Sequence, residues 1–272
     1  MVDIAAGGAH TRTLERAIER AFDEVALVHR LMSFHEPDSD LSRLNAEAWR
    51  RPVCVHPYTH DVLRAARMIA DATNGLFDCT IAPHLIRWGY LPDHGRAAGG
   101  DRPAGRYDDV ECLARGRVRF LRPLRVDLGG IAKGFAVDRA VAALQAEGAT
   151  VGCVNAGGDL RMFGDTAQPV YVRAPHRHDR MIPLEPLRDA AVATSCPSES
   201  RKRLRGVTVT PCVDPLARTP ILARRSVSVF APSCVVADAL TKAVMIANDP
   251  DAPFLARFDA AAVILDASDG RN

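Results

Sequence analysis

The sequence lacks a long apolar run, a leader-like start and a strong excess of charge of one sign. No hydrophobic stretch approaches the length that crosses a bilayer, and the first residues have no basic region followed by an apolar one. Lys and Arg number 35 against 33 Asp and Glu, so the net charge gives no general attraction to nucleic acid or to a membrane surface. We therefore expect a cytoplasmic protein with no membrane span and no nucleic-acid partner.

Paired cysteines are also missing from the sequence. The seven Cys residues are scattered singly and form no CxxC pair, which argues against a zinc site or a disulfide framework. Most of them are expected to be small buried hydrophobic residues. The 272 residues, of which 47% are hydrophobic, supply a sizeable core for one large domain or two closely joined ones.

Helical and strand patterns alternate along the chain without internal repeats, which predicts a mixed α+β protein. Apolar spacing and capping residues predict helices over 13–32, from about 39, and over 59–73, 133–147 and 233–247. Short apolar or alternating runs predict strands over 110–113, 118–121, 125–128, 151–154 and 261–265. Residues 92–106 are rich in Gly, Pro and charge, and we expect them to form an exposed loop.

Two glycine turns are the most informative motifs. Val126-Asp-Leu-Gly-Gly-Ile-Ala-Lys-Gly134 opens a predicted helix, and Val154-Asn-Ala-Gly-Gly-Asp159 follows a predicted strand. The amides of a helix start, together with Lys133, can receive an anion such as a nucleotide phosphate. The same glycine pairs also occur where a tight turn simply needs positive φ, and neither fits the spacing of a P-loop or a GxGxxG fingerprint. Asp159 is expected to hold its own turn.

Several further motifs occur in order around these turns. They are Met32-Ser-Phe-His-Glu-Pro37, Ser39-Asp-Leu-Ser-Arg-Leu-Asn45, Gly75-Leu-Phe-Asp-Cys-Thr-Ile-Ala-Pro83, Trp88-Gly89, Asp214-Pro215 and Ala237-Asp-Ala-Leu-Thr241. Together with the glycine turns they resemble the ApbE-type flavin transferases, the FAD:protein FMN transferase family, over nearly the whole chain. The resemblance implies an α+β fold with antiparallel-rich sheets flanked by helices and an FAD cleft between two halves. It also implies a single domain of residues 1–272, with possible sub-halves 1–165 and 166–272.

The resemblance implies a specific reaction. FAD is split at its pyrophosphate, FMN is attached through a phosphoester to a Thr or Ser of a target protein, and AMP leaves. Such a phosphoryl transfer needs charge neutralisation, an in-line hydroxyl and usually a magnesium ion with oxygen ligands. The expected ligands are therefore FAD as substrate and Mg²⁺, and the expected partner is a flavin-accepting protein. Many members of the family work outside the cytoplasmic membrane.

The resemblance also implies which residues bind FAD. Asp127 and Lys133 fall where the family contacts FAD. Trp88, Gly89 and Val213 match positions that contact the flavin.

At the metal positions of the family, the Gly130 carbonyl and the Asp238 carboxylate match ligands, and Thr241 lies one residue before the expected hydroxyl ligand. At that hydroxyl position this chain has Lys242. Residues at i and i+4 share a helix face, so we predict that the Lys242 ammonium reaches Asp238 and takes the place of the cation. The alternative is a Lys242 stem that points to solvent. Asp238 and Lys242 are our predicted catalytic residues, with a weakened dependence on magnesium.

Two further departures from the family pattern leave the activity open. Thr210-Pro-Cys-Val-Asp-Pro215 stands where the family has a His pair before Asp-Pro, and an imidazole is the natural base for a Thr hydroxyl. His176 and His178 are the remaining candidates for that base. The usual glycine after the motif is replaced near Arg218, which we expect to alter the turn. The chain is therefore either an active transferase or a degenerate relative that binds FAD, or slowly hydrolyses it, without transferring FMN.

Overall fold

A computed structural model describes residues 1–93, 105–175 and 177–266 of the chain. The chain forms two compact units, each assembled from separate segments. The first unit comprises Met1–Leu27, Lys133–Glu199 and Ala223–Asn272, and the second comprises Val28–Ala132 and Ser200–Leu222. The prediction of one domain with sub-halves 1–165 and 166–272 stays a prediction. Most of the predicted loop over 92–106 lies outside the described residues.

The five predicted helices are present with closely similar limits, and the short helix α4 (Ala82–Arg87) was not predicted. In chain order the helices are α1 Thr11–Met32, α2 Asp40–Glu47, α3 Pro57–Ala72, α4 Ala82–Arg87, α5 Ala132–Ala146 and α6 Cys234–Ala247. Local signals explain their limits: the Ser39 side chain accepts a hydrogen bond from the Ser42 amide at the start of α2. The end of α3 is followed by Asn74 and Gly75, both at positive φ. Of the described residues, none lies in a helix that is both long and apolar enough to cross a membrane.

The strands are mostly short and antiparallel. They are β1 Val2–Gly7, β2 Val53–Cys54, β3 Val110–Leu113, β4 Arg117–Phe120, β5 Val151–Ala156, β6 Asp159–Phe163, β7 Gln168–Ala174, β8 Arg177–Leu187, β9 Ala191–Ser195, β10 Lys202–Leu204, β11 Val207–Val209, β12 Val213–Asp214, β13 Thr219–Pro220, β14 Arg225–Ala231 and β15 Ala261–Asp266. The predicted antiparallel-rich α+β class is confirmed.

The first unit is built on a six-stranded sheet in the order β1-β5-β6-β9-β14-β15. Helix α6 packs against β9 and β14. The centre of β14 is buried at consecutive residues, including Ser226 and Ser228, because a central covered strand has no solvent face. The fully buried Leu240 of α6 belongs to the core of this unit. A separate hairpin, β7–β8, completes the unit.

The second unit carries a three-stranded sheet in the order β2-β4-β3 and the short hairpins β10–β11 and β12–β13. The strand predicted over 125–128 is wrong. The peptide of Val126 pairs with a side chain instead, since its N–H donates to Asn45 Oδ1 at 2.8 Å and its carbonyl accepts from Asn45 Nδ2 at 2.9 Å. The next amide, of Asp127, donates to the Cys79 carbonyl at 2.8 Å. The segment is extended, but an Asn side chain takes the place of a neighbouring strand.

The cysteines differ partly from expectation. All seven are free, but only Cys79 and Cys234 are buried, and Cys54 is exposed. The prediction that most of the cysteines are buried is wrong.

Candidate active site

Helices α5 and α6 of the first unit approach closely at Gly134. A Cβ added there would lie 2.2 Å from the Cys234 carbonyl oxygen and 2.9 Å from Asp238 Cβ, so only glycine fits. The Gly134 N–H lies in the first turn of α5, where amides have no acceptor inside the helix. It donates to Asp238 Oδ2 at 3.2 Å. The start of α5 therefore orients the Asp238 carboxylate and places partial positive charge beside it.

A second contact between the two helices closes the start of α6. Asp138 of α5 accepts hydrogen bonds from the amides of Cys234 and Val235, each at 2.9 Å. Arg161 Nη1 donates to the same carboxylate at 3.0 Å. Asp138 thus does the work of an N-cap for α6, where Ser233 makes no side-chain cap hydrogen bond. These two α6 amides are therefore not free to bind a phosphate.

Lys242 lies on the same face of α6 as Asp238. Its ammonium is paired with Asp238 Oδ1 and also donates to the Asp238 main-chain carbonyl at 2.9 Å. The Asp238 side chain is 0% exposed, and that of Lys242 is 24% exposed. The contact predicted from the i, i+4 spacing is confirmed, and the alternative of a Lys242 stem in solvent is wrong.

A second ion pair joins Lys133 of α5 to Asp159 at the start of β6. The Asp159 side chain is 2% exposed, whereas that of Lys133 is 52% exposed. The expectation that Asp159 holds its own turn differs from what is found, because Asn155 Oδ1 accepts the Gly158 amide at 2.9 Å. Asp159 instead fixes the ammonium of a lysine whose side chain reaches solvent.

Lys133, Asp159, Asp238 and Lys242 form what we call the charged cluster. Their charges shift the pKa values of Lys133, Asp159 and Asp238. Burial opposes ionisation of Asp238, but Lys242 and Lys133 outweigh it and lower the pKa of this carboxyl. Burial and the nearby Asp238 charge raise the pKa of Asp159. Burial disfavours the charged form of Lys133, yet Asp238 and Asp159 outweigh that effect and raise its pKa. Lys133 therefore stays an ammonium at neutral pH.

The residues expected to hold magnesium do not fit a divalent ion. Asp238 Oδ1 is paired with Lys242 and Oδ2 accepts the Gly134 amide. The Thr241 hydroxyl donates to the Asp238 carbonyl at 2.7 Å and lies 2.8 Å from Ser195 Oγ. Over residues 1–93, 105–175 and 177–266, no group of three or more His, Cys, Asp or Glu is arranged to hold a metal.

In the second unit, the Trp88-Gly89 turn ends α4 and is held by a residue from β10. Gly89 has a positive φ of 68°, and its carbonyl accepts a hydrogen bond from Lys202 Nζ at 2.7 Å. The same ammonium lies 3.9 Å from the centroid of the Tyr90 ring. The Tyr90 hydroxyl lies 2.7 Å from the Ser200 carbonyl oxygen. The hairpin β10–β11 is therefore fastened at its base to the predicted flavin-contacting turn.

Asp127 and Gly130 lie in the first glycine turn, at the end of the extended segment. Asp127 is half-buried. A Cβ added at Gly129 would lie 3.1 Å from Asp127 Oδ2. The Asp127 carboxylate is therefore folded toward the glycine backbone, and a side chain at Gly129 would press on it.

Val213 and the turn after it keep a regular conformation. Val213 is 5% exposed and pairs with Pro220. The Asp214 carboxylate accepts the amides of Leu216 and Ala217, each at 2.9 Å. Arg218 adopts a positive φ of 58°. The arginine takes up the left-handed conformation that glycine favours, and a turn altered relative to the family stays a prediction.

His84 of α4 is a buried imidazole that sequence reasoning missed. It is 7% exposed, and its ring centroid lies 5.7 Å from that of Trp88. Its Nε2 atom is buried without a hydrogen-bond partner. Burial lowers the pKa of His84 below its usual 6.5, and the charges of Arg87 and Arg218 lower it further. His84 is therefore neutral at pH 7.

Comparison with known proteins assigns the chain to a family. The model of the ApbE family matches residues 2–265. The chain belongs to the ApbE family. The predicted family is thus confirmed.

Several relatives are similar along most of their length. An FAD:protein FMN transferase from Vibrio cholerae is 30% identical over 264 residues, which covers 89% of this chain and 76% of that protein. One from Treponema pallidum is 29% identical over 85% of this chain and 71% of its own. The crystal structure of the ApbE protein from Thermotoga maritima has a TM-score of 0.77 at 27% identity and covers 96% of this chain and 88% of its own. The flavin transferase ApbE from Vibrio cholerae has a TM-score of 0.73 at 28% identity, over 90% and 82%.

Within this ApbE chain, sequence reasoning missed residues that position the site rather than form it. Asp138 caps the neighbouring helix, Gly134 permits the crossing of α5 and α6, and Lys202 and Tyr90 hold the Trp88-Gly89 turn. One local signal was present for Tyr90, which directly follows the Trp-Gly motif. The partners of Lys202 and Asp138 are distant in sequence and left no local signal.

Proposed function

We propose that this protein transfers FMN from FAD to a Thr or Ser hydroxyl of a target protein and releases AMP. The relatives named FAD:protein FMN transferases support the activity, since they match most of the chain. The observation that carries the proposal is the charged cluster. Its two lysines are held by two buried carboxylates, and the Lys133 side chain is 52% exposed and within reach of a ligand.

Lys133 is the proposed contact for the FAD pyrophosphate. Phosphoryl transfer depends mainly on positioning and on stabilising the charge of the phosphoryl oxygens. Asp159 orients the Lys133 ammonium before a ligand arrives, so little reorganisation is needed when the charge develops. Asp238 contributes as the buried anchor of Lys242 rather than by direct contact, because its side chain is fully buried.

Residues of the second unit are the proposed contacts of the flavin part of FAD. Trp88 is half-buried at the end of α4 and offers an aromatic face. Gly89, which has a positive φ of 68° and no side chain, is the proposed backbone contact beside Trp88. Val213 supplies an apolar contact, and Asp127, folded over the first glycine turn, is the remaining proposed FAD contact.

Magnesium takes no step in this proposal, because the oxygens of Asp238 and the hydroxyl of Thr241 already have partners. Gly130 and Thr241 stay predicted metal positions of the family. His176 and His178 stay the predicted candidates for the base that activates the acceptor hydroxyl. His176 lies outside the described residues, and the side chain of His178 does too.

A second candidate function is FAD binding, or slow hydrolysis of FAD to FMN and AMP, without protein transfer. One observation favours it: the position of the expected imidazole is occupied by structural residues. The Thr210 hydroxyl is used within the turn, where it donates to the Ile221 carbonyl at 2.8 Å. Pro211 and Cys212 offer no imidazole to an acceptor hydroxyl.

The deciding experiment combines intact-mass spectrometry with chromatography. An acceptor protein bearing the target motif of the relatives is incubated with this protein and FAD, with magnesium or with EDTA, and FAD, FMN and AMP are followed. We expect the mass of FMN on the acceptor and an equal amount of AMP. The variant Lys133→Met should lose at least tenfold in rate, since a hydrogen bond to a charged group contributes about 1.5–3 kcal/mol. AMP and FMN without an acceptor adduct would establish hydrolysis, and bound but intact FAD would leave only the binding function.

A further inference from the structure

We propose that Lys242 is a built-in cation that takes the position of a divalent metal ion at Asp238. The protein then binds and splits the FAD pyrophosphate without magnesium bound at this carboxylate. The role at the pyrophosphate rests on the proposed function above. The statement about metal binding rests on this structure alone.

Both carboxylate oxygens of Asp238 already have a partner inside the protein. The carboxylate is fully buried, and each oxygen has its own partner, Lys242 on Oδ1 and the Gly134 amide on Oδ2. The Lys242 ammonium is fixed by a second bond, 2.9 Å long, to the Asp238 carbonyl. A divalent ion would have to displace this ammonium, and a protonated lysine is not a metal ligand.

The charges of the cluster also oppose a divalent ion. Asp159 and Asp238 are balanced by Lys133 and Lys242, one ammonium for each carboxylate. An added divalent ion would place two positive charges next to two ammonium groups in a partly buried site, where repulsion is only weakly screened. A pyrophosphate, in contrast, would bring negative charge to the two lysines, whose side chains are 52% and 24% exposed.

The choice of lysine is itself informative. The chain has 32 Arg and only three Lys, at positions 133, 202 and 242. Two of the three lysines belong to the charged cluster. Lysine carries a compact point charge, whereas arginine carries a planar, delocalised fork. A compact ammonium is the side-chain group closest in form to a small metal cation, and this arginine-rich chain places two of its three lysines here.

The test is calorimetric titration of magnesium chloride into the full-length protein, without FAD or acceptor. The variants are Lys242→Thr, which replaces the ammonium by a possible oxygen ligand, and Lys242→Thr combined with Asp238→Asn. Arg257→Thr is the matched control, because it removes one positive charge from an exposed residue of the same unit. Thermal unfolding of each variant is recorded beside the titration.

We expect the wild type and Arg257→Thr to bind magnesium at least tenfold more weakly than Lys242→Thr. Adding Asp238→Asn should abolish the gain. Magnesium binding to the wild type as tight as to Lys242→Thr would overturn the proposal, and so would a folded Lys242→Thr variant without any gain. If Lys242→Thr does not fold, magnesium binding by the wild type is compared with that by Asp238→Asn. Magnesium binding that Asp238→Asn removes would overturn the proposal, and the absence of such binding would support it.

The release of AMP from FAD adds a readout that separates the two proposals. The wild type should release AMP equally in EDTA and in magnesium, whereas Lys242→Thr should need magnesium. If no condition yields AMP or an acceptor adduct, the proposed function fails. The magnesium titration, made without FAD, still decides the role of Lys242.

Discussion

The charged cluster of the first unit and the turns of the second unit are built in different ways. In the cluster, both carboxylates are buried and each has its own ammonium partner. In the second unit, the turns around Gly89 and Arg218 rely on positive φ, and a buried nitrogen of His84 has no hydrogen-bond partner. The buried carboxylates of the cluster are paired with its ammonium groups, so removing one ammonium should destabilise the fold. In the second unit, the positive φ of Arg218 and the unpartnered nitrogen of His84 lower the stability, so some substitutions there should stabilise the protein.

The largest expected effect is the loss of the charge on Lys242. Lys242→Met keeps most of the apolar stem but leaves the Asp238 carboxylate buried without its cation. Removing one partner of a buried ion pair costs about 3–5 kcal/mol. We expect a loss of that order in the free energy of unfolding, measured by urea denaturation at pH 7.

Asp238→Asn is the matched partner for this measurement. Because it removes the orphaned charge, the double variant should recover part of the loss, giving a positive coupling energy in the double-mutant cycle. A loss in the double variant equal to the sum of the losses in the two single variants would show that the Lys242–Asp238 pair contributes nothing to stability. The contrast between the charged cluster and the second unit would then fail.

The next effect tests the crossing of the two helices. Gly134→Ala places a Cβ 2.2 Å from the Cys234 carbonyl oxygen, so α6 must move. Overpacking of this kind typically costs about 1–3 kcal/mol, and the shift should also weaken the bond from the Gly134 amide to Asp238. Thermal unfolding measures the loss. Helix propensity alone predicts a gain of about 1 kcal/mol for this change, so a more stable variant would contradict the close crossing.

A smaller effect of opposite sign is expected at His84. His84→Leu removes a buried polar atom without a partner, and such an atom costs about 1–3 kcal/mol. Part of that gain is lost to the imperfect fit of leucine. We therefore expect a melting temperature a few degrees higher at pH 7, with about 1 kcal/mol corresponding to roughly 2–4 °C for a chain of this size.

The pH dependence of stability gives the sign of the His84 pKa shift. Its folded pKa lies below 6.5, so as the pH falls through 6.5 the unfolded state takes up a proton that the folded state resists. Wild-type stability should decline from this point down to the folded pKa, and the His84→Leu variant should decline less. His10→Leu serves as the control for the loss of one histidine, because His10 is exposed. Identical profiles for all three proteins would rule out the shift.

The smallest effect concerns the left-handed turns. Arg218 has a φ of 58°, and this left-handed conformation costs about 1 kcal/mol for a residue with a Cβ. Arg218→Gly removes that cost. Part of this gain is offset by the greater freedom of glycine in the unfolded chain, so we expect a net gain of roughly 0.5 kcal/mol. Arg115→Gly, at a φ of 60° in the β3–β4 turn, should behave alike. Denaturant midpoints compare them, and a loss in both variants would argue against strain in these turns.

The sequence by itself predicted the features that depend on neighbouring residues. The limits of α2 and α3 follow from Ser39 and from Asn74-Gly75, and the pairing of Lys242 with Asp238 follows from the i, i+4 spacing of one helix. These contacts form within a few residues, so their geometry is fixed by the local backbone. The order of the motifs also predicted the ApbE family, because motifs and their order are read directly from the sequence.

Only the tertiary structure decided the contacts between distant segments. The apolar pattern of 125–128 favours a strand, but a strand needs a partner, and Asn45 takes that place from elsewhere in the chain. The pairing of Asp159 with Lys133 and the capping of α6 by Asp138 depend on how β6, α5 and α6 pack. No local pattern encodes such contacts, because they are set by the burial of apolar surface that brings the segments together.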